Sequence, residues 1–327
     1  MISINGNNIL SAYTGGIPVQ AIYCEGTKVW PTSDMSLSYY YASWTDRTGG
    51  NVIRLSSKNF SYVSYERNNK GFFRWYNQQY ITYSTFGDIV CDYFETNART
   101  INPYAFAADF SAYTHSLVSV SLPGCIDLGE CAFYSMVTLQ SISLPECTGI
   151  WSHAFNGCTS LQSISLPKCK ILGIYAFNNC KNLQSIDLPV CMSIGDSAFT
   201  YCSSLQSIDL PNCSYIGGNA FYLCSSLQSI SLPLCSYIGN SAFYDCYSLQ
   251  SISLPKCSYI GCSAFYYCKS LTIITLGYSS VCSLYTSGVR SVFNYLKSIY
   301  VPSSLVSAYK SASGWSAFSS QIFAIPS

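Results

Sequence analysis

The sequence predicts a β-rich solenoid, a stack of coils built on short parallel strands, and three observations carry that prediction. A unit of 22 residues recurs, led by Leu117, Leu139, Leu161, Leu183, Leu205, Leu227, Leu249 and Leu271. Within a unit the leading segment ends in alternation: Ile208 and Leu210 fall on one side, Ser207 and Asp209 on the other, which is the two-residue period of a strand. A proline follows at once, at Pro123, Pro145, Pro167, Pro189, Pro211, Pro233 and Pro255. Lacking an N–H for a ladder, it ends each strand at a corner. A unit this short cannot bury its own apolar face, so copies must stack to make a core.

Taken in order, residues 1–31 read as a small β attachment module of short strands and turns, with Val19, Ala21 and Tyr23 alternating and Val29-Trp30-Pro31 ending in a linker. In residues 32–91 the repeat disappears and aromatic, β-prone stretches such as Leu37 to Trp44 and Phe60 to Tyr65 take over; this region is expected to cap the first apolar layer. Residues 92–302 are the solenoid. It opens on a degenerate coil, Ile101 to Ala105-Phe106, loosens between Gly277 and Tyr295, and returns once in Leu296, Ile299, Val301 and Pro302. Residues 303–327 form a C-terminal cap: Ser303 and Ser304 cap a short helix carrying Leu305, Ala308 and Tyr309, and Trp315, Phe318, Ile322 and Ile325 supply a closing layer.

Inside a repeat, Leu205, Ile208, Leu210, Ile216, Ala220, Phe221 and Cys224 mark the inward positions. Gly129, Gly173, Gly195, Gly217, Gly239 and Gly261 are expected to permit a tight turn, and the pairs from Ala132-Phe133 to Ala264-Phe265 to stack, one small and one large residue per layer. The pattern L-x-x-I-x-L-P followed by I-G-x-x-A-F-x-x-C resembles the BspA-like, Treponema-type leucine-rich repeats over residues 92–302. It departs in a unit one residue shorter and in a Cys placed two residues after each Pro. The resemblance implies a right-handed coil with a parallel β-sheet on the concave face, and no single function. The ending resembles the caps that follow such repeats. The opening, in ISINGN and VQAIYCEGTKVWP, resembles N-terminal segments of bacteriophage virion proteins and prophage-borne surface proteins, which implies docking onto a particle.

Only 9% of the residues are charged and the net charge is +1, so no basic stripe exists to neutralise phosphates and nucleic acid is not an expected partner. A Tyr- and Ser-rich surface with so little charge repulsion suits a component of a larger assembly. The opening lacks the charged and apolar regions of a secretory signal, and no run of 18 apolar residues spans a membrane, so synthesis in a bacterial cytoplasm is expected.

Of 18 cysteines, Cys125, Cys147, Cys169, Cys191, Cys213, Cys235 and Cys257 form one column and Cys158, Cys180, Cys202, Cys224, Cys246 and Cys268 another. Buried free thiols at repeat spacing are ordinary core residues. Bridges between rungs ~4.8 Å apart remain sterically open. With no C-x-x-C pair or Cys-His cluster, neither a metal nor another cofactor is expected.

Two candidate binding surfaces follow from the register. Outward strand positions place Ser165, Ser185, Asp187, Ser207, Asp209 and Ser231 in hydroxyl ladders on the concave face. Asp187 and Asp209 occupy the same position on adjacent rungs, a like-charge pairing that a cation, a hydroxyl-rich ligand or solvent would relieve. A retaining glycosidase pair would need two unlike environments, which a flat repeat does not supply. The second surface is aromatic: Tyr215, Tyr237 and Tyr259 align on consecutive coils, as do Tyr222, Tyr244 and Tyr266, outside the strand and suited to protein contact ahead of glycan contact.

No catalytic residues are expected. The histidines, His115 and His153, join no triad, phosphate loop or metal motif. The expected role is a non-enzymatic virion component, such as a fibre, decoration or host-binding protein, attached to other virion proteins through residues 1–31. Its expected partners are a host surface glycan or protein, and further copies of itself in a homo-oligomer. The alternative is a bacterial cell-surface adhesin, and a glycoside hydrolase is the least favoured reading.

Overall fold

The computed structural model describes residues 118–326 apart from 278–279, 286–291 and 294, together with Ile101 and the backbone of strands between Ile2 and Thr100. Leu117, His115 and the Ala105-Phe106 pair lie outside the described residues. The chain is a parallel β-solenoid of about nine turns with a short C-terminal helix.

Two ladders run its length. The first is built from the predicted strands, such as Ser163–Ser165, Ser185–Asp187, Ser207–Asp209 and Ser229–Ser231, each exposed, buried, exposed along its three residues. The Pro corners are turns: the Cys169 N–H donates to the Leu166 carbonyl at 3.1 Å and that of Cys213 to Leu210 at 3.2 Å, with Pro at the second turn position.

The second ladder was not anticipated. Two-residue strands, among them Ser193–Ile194, Tyr215–Ile216, Tyr237–Ile238 and Tyr259–Ile260, pair in parallel without a break from Asp127–Leu128 to Ser283–Leu284. Both ladders also run N-terminally past residue 92, where the repeat was expected to begin. Val52–Ser56 and Tyr93–Glu95 extend the first, while Thr100–Ile101 and Tyr62–Glu66 extend the second.

The third side of each coil is a chain of turns around the Ala-Phe pair. Alternate N–H groups close turns within the rung or reach the next one. Ala132 and Tyr134 donate to carbonyls three residues back, whereas Cys131, Phe133 and Ser135 donate to Ser152, Ala154 and Asn156 at 2.7–2.9 Å. This winding needs two left-handed residues per rung, and most are not glycine: Tyr175, Leu223 and Tyr267 have φ of 56°, 60° and 59°. Each such residue costs about 1–2 kcal/mol, offset by the inter-rung hydrogen bonds it permits.

The repeated glycines act differently from expectation. Among them Gly173, Gly195, Gly217, Gly239 and Gly261 do not adopt positive φ; they let stacked backbones approach. A Cβ on Gly195 would stand 2.7 Å from the Gly173 carbonyl carbon.

The core is a set of columns. Phe133, Phe155, Phe177, Phe199, Phe221, Phe243, Phe265 and Phe293 stack at 5.0–5.5 Å within 14° of parallel. Leu205, Leu227 and Leu249 form a fully buried column, and both cysteine columns are buried free thiols. Each Sγ of the second column donates to the carbonyl of the Phe one rung back, as Cys202 does to Phe177 at 3.1 Å. Burial pushes the Cys191 thiol of the first column up to about 11. At the C-terminal end, helix Val306–Ser311 and the 3-10 turn Trp315–Gln321 bring fully buried Trp315 over Phe293 with buried Tyr309 edge-on against Trp315, and strand Ile322–Ala324 adds to the first ladder. Among the described residues no helix is long and apolar enough to cross a membrane.

Candidate recognition surface

The predicted site residues lie on three separate sides of the coil. Ser165, Ser185, Asp187, Ser207, Asp209 and Ser231 all project from the first ladder and are exposed. This ladder joins its strands in pairs here, Ser163–Ser165 with Ser185–Asp187 and Ser207–Asp209 with Ser229–Ser231. Within the pairs the Gln184 N–H reaches the Gln162 carbonyl, and Gln228 reaches Gln206, at 2.8 Å. Between the pairs Gln206 reaches Gln184 only at 3.3 Å. The two acids therefore flank the looser gap. Asp187 turns away from it and accepts a hydrogen bond from Ser165 Oγ at 3.0 Å, while Asp209 stands opposite Ser231.

Tyr215, Tyr237 and Tyr259, expected outside any strand, are strand residues of the second ladder; two residues per rung are too few for alternation to reveal it. Successive rings lie 5.0 Å apart and within 11° of parallel. The middle ring thus has both faces covered, and the row presents ring edges and hydroxyls. Burial, the Asp196 carboxylate and the neighbouring Tyr237 push the Tyr215 hydroxyl up, so it stays protonated. Beside Tyr215 the same side carries Ile171 and Met192, each 54% exposed, on the two preceding rungs.

Tyr222, Tyr244 and Tyr266 follow the buried Phe column on the turn side and are half-buried. Their rings are 5.0 and 5.3 Å apart and fan out by 24° and 35°. Tyr201 and Tyr267 meet the ends of this row edge-on.

One cluster was missed. Asp245, in a left-handed conformation, lies by Tyr247 and Lys269, whose ammonium sits 4.9 Å from the Tyr247 ring centre. Its Oδ1 is buried without a hydrogen-bond partner, and burial pushes its carboxyl up against the opposing pull of Tyr247 and Lys269. The available signal was the departure of Tyr247 and Lys269 from the Ser203 and Ser225 of earlier units. His153 stacks on Tyr175 at 4.8 Å, and its Nδ1 contacts Asn156 Nδ2 at 2.9 Å. Among the described residues no group of three His, Cys, Asp or Glu side chains is placed to hold a metal.

This geometry is that of a repeat protein, and the sequence family agrees. The chain matches the BspA type leucine rich repeat region, a model of six copies, over residues 99–212, 126–247 and 192–319, and it belongs to that family. Comparison with curated proteins returned no match. Among solved structures it is similar to a leucine-rich repeat protein of Bacteroides ovatus, at 20% identity over 75% of this chain and 71% of that one, with a TM-score of 0.39. It is also similar to the T. pallidum leucine rich repeat protein, at 25% identity over 64% and 87% with a TM-score of 0.43. A leucine rich cell surface protein of Faecalibacterium prausnitzii aligns at 17% identity over 74% and 89%, with a TM-score of 0.33. Membership rests on the repeat match; no catalytic family is indicated.

Proposed function

We propose that this chain is a non-enzymatic recognition protein that holds a protein or glycan partner against the outside of its coils, as a fibre, decoration or host-binding component of a bacteriophage virion. The observation that carries recognition is the row of Tyr215, Tyr237 and Tyr259, polar-tipped rings held rigidly on a ladder beside exposed Ile171 and Met192. A protein partner fits better than a stacked sugar, because the ring faces already cover one another. The Ser165–Asp187 side is a second, polar surface suited to a hydroxyl-rich ligand or a cation.

The virion assignment rests on ISINGN and VQAIYCEGTKVWP near the N-terminus. In this reading residues 1–31 attach to other virion proteins, 32–91 cover the first coil, 92–302 present the contact surfaces and 303–327 close the far end. Homo-oligomers and localisation in the particle belong to the same reading. A bacterial cell-surface adhesin is the second reading, favoured by the BspA-type repeat itself, and it would use the same surfaces.

The deciding experiment is peptide mass spectrometry on purified phage particles and on protease-shaved intact host cells. Stoichiometric recovery from particles supports the virion role. Release from cell surfaces with none in particles replaces it with the adhesin.

A further inference from the structure

We infer that Cys257 and Cys282 form a modification site, a thiol pair that a low-molecular-weight disulfide converts into a cross-link between the last regular rung and the C-terminal cap. In every earlier rung of this column the thiol donates to the carbonyl two residues ahead, at 3.2–3.4 Å, and Cys257 does so to Tyr259 at 3.3 Å. Cys282 breaks the rule. It follows Cys257 by 25 residues, where column members are otherwise 22 apart, yet strand Ser283–Leu284 still pairs with Tyr259–Ile260. Among the described residues the displaced Sγ finds the Ser283 carbonyl at 3.8 Å and the Cys257 sulfur at 3.9 Å.

The cap holds it there. The Cys282 N–H donates to Tyr309 Oη at 2.9 Å, and its carbonyl accepts from Trp315 Nε1 at 2.5 Å. Tyr259 pairs with Ser283, so Cys282 stands one residue off the level of Cys257, and a spacing of ~4.8 Å between chains with a rise of ~3.3 Å along them keeps the diagonal within the Cα separation of about 4.4–6.8 Å that a disulfide spans. Rotation of the two side chains about χ1 then brings the sulfurs together, at the cost of the Cys257 bond to Tyr259.

The chemistry is exchange. Cys257, 6% exposed against 0% for Cys282, loses its proton and attacks one sulfur of the small disulfide RSSR, expelling RS⁻ and leaving Cys257–S–S–R. The Cys282 thiolate attacks the Cys257 sulfur and expels the second RS⁻. The balance is two protein thiols and RSSR converted to one protein disulfide and two RSH. Burial of both sulfurs keeps the pair reduced in a thiol-rich cytoplasm; oxidising surroundings outside a cell close it. Because Tyr309 and Trp315 grip Cys282, the cross-link anchors the cap.

The full chain is equilibrated with oxidised glutathione through one cycle of unfolding and refolding, residual thiols are alkylated, and tryptic peptides are mapped. Residues 257–269 and 270–290 fall on separate peptides, and Cys282 is the only cysteine of the second. The expected result is a dominant link between Cys257 and Cys282, a higher thermal midpoint than that of the reduced chain, and no such rise in Cys282→Ala. Full alkylation of both residues overturns the inference, as does linkage of Cys257 to Cys235 as often as to Cys282. A rise that persists in Cys282→Ala does the same. Should that variant fail to fold, the peptide map of the unaltered chain decides alone. Any glutathione adduct on half-exposed Cys262 is separated by fragment spectra.

Discussion

The Tyr215 and Tyr237 rings lie 5.0 Å apart and 6° from parallel, each covering a face of the other. Recognition through this row must therefore use ring edges and hydroxyls. Tyr237→Phe leaves the stack intact and removes one hydroxyl. Affinity for a bound partner should fall about three- to tenfold, the worth of one hydrogen bond, with an unchanged circular dichroism spectrum. Titration calorimetry measures the loss; unaltered affinity would assign the contact to the rings.

Close approach of stacked backbones makes Gly217 intolerant of a side chain. A Cβ there would stand 2.5 Å from Asp196 Oδ1 and 2.6 Å from the Asp196 nitrogen, whereas one on Gly218 meets nothing nearer than 3.5 Å. Gly217→Ala should cost about 1–3 kcal/mol in urea unfolding and Gly218→Ala almost nothing.

Left-handed residues store strain that glycine relieves. Leu223, half-buried at φ 60°, should give a more stable protein as Leu223→Gly, by up to about 1 kcal/mol. Gly157 holds the equivalent place three rungs earlier, at φ 79°, and a Cβ there would meet Ser135 Oγ at 3.2 Å. Gly157→Ala should lower stability, and a matched pair of denaturation curves tests both signs.

Asp245 carries a pH dependence. Its carboxyl is raised by burial, so folding disfavours the ionised form, and the chain loses stability as pH rises above the ordinary carboxylate range. Asp245→Asn should unfold at a higher temperature near neutral pH, and the difference should vanish in acid. Thermal melts at several pH values measure it. An equal gain at every pH would point to packing instead.

Most of the core was legible because each choice is made many times over. Leu205, Ile208, Leu210, Phe221 and Cys224 recur at one spacing, and stacking turns each into a buried column. The corner prolines announced themselves by the missing N–H. Tyr215-Ile216 gave no strand signal, since two residues show no period, and its pairing depends on the rung below. The left-handed turns were hidden for a related reason: Tyr175 and Leu223 do not favour positive φ, and inter-rung hydrogen bonds hold them there. Glycine was read as a turn former, although what constrains Gly195 is Gly173 one rung away.

By itself the sequence determined which side chains face inward, where strands end and which residues line each outer side, because a 22-residue period places like over like. Only the tertiary structure decided that Asp187 bonds Ser165, that tyrosines stack face to face, and that Cys282 leans on Cys257. Those are contacts between rungs, and their geometry depends on how one coil is seated on the next.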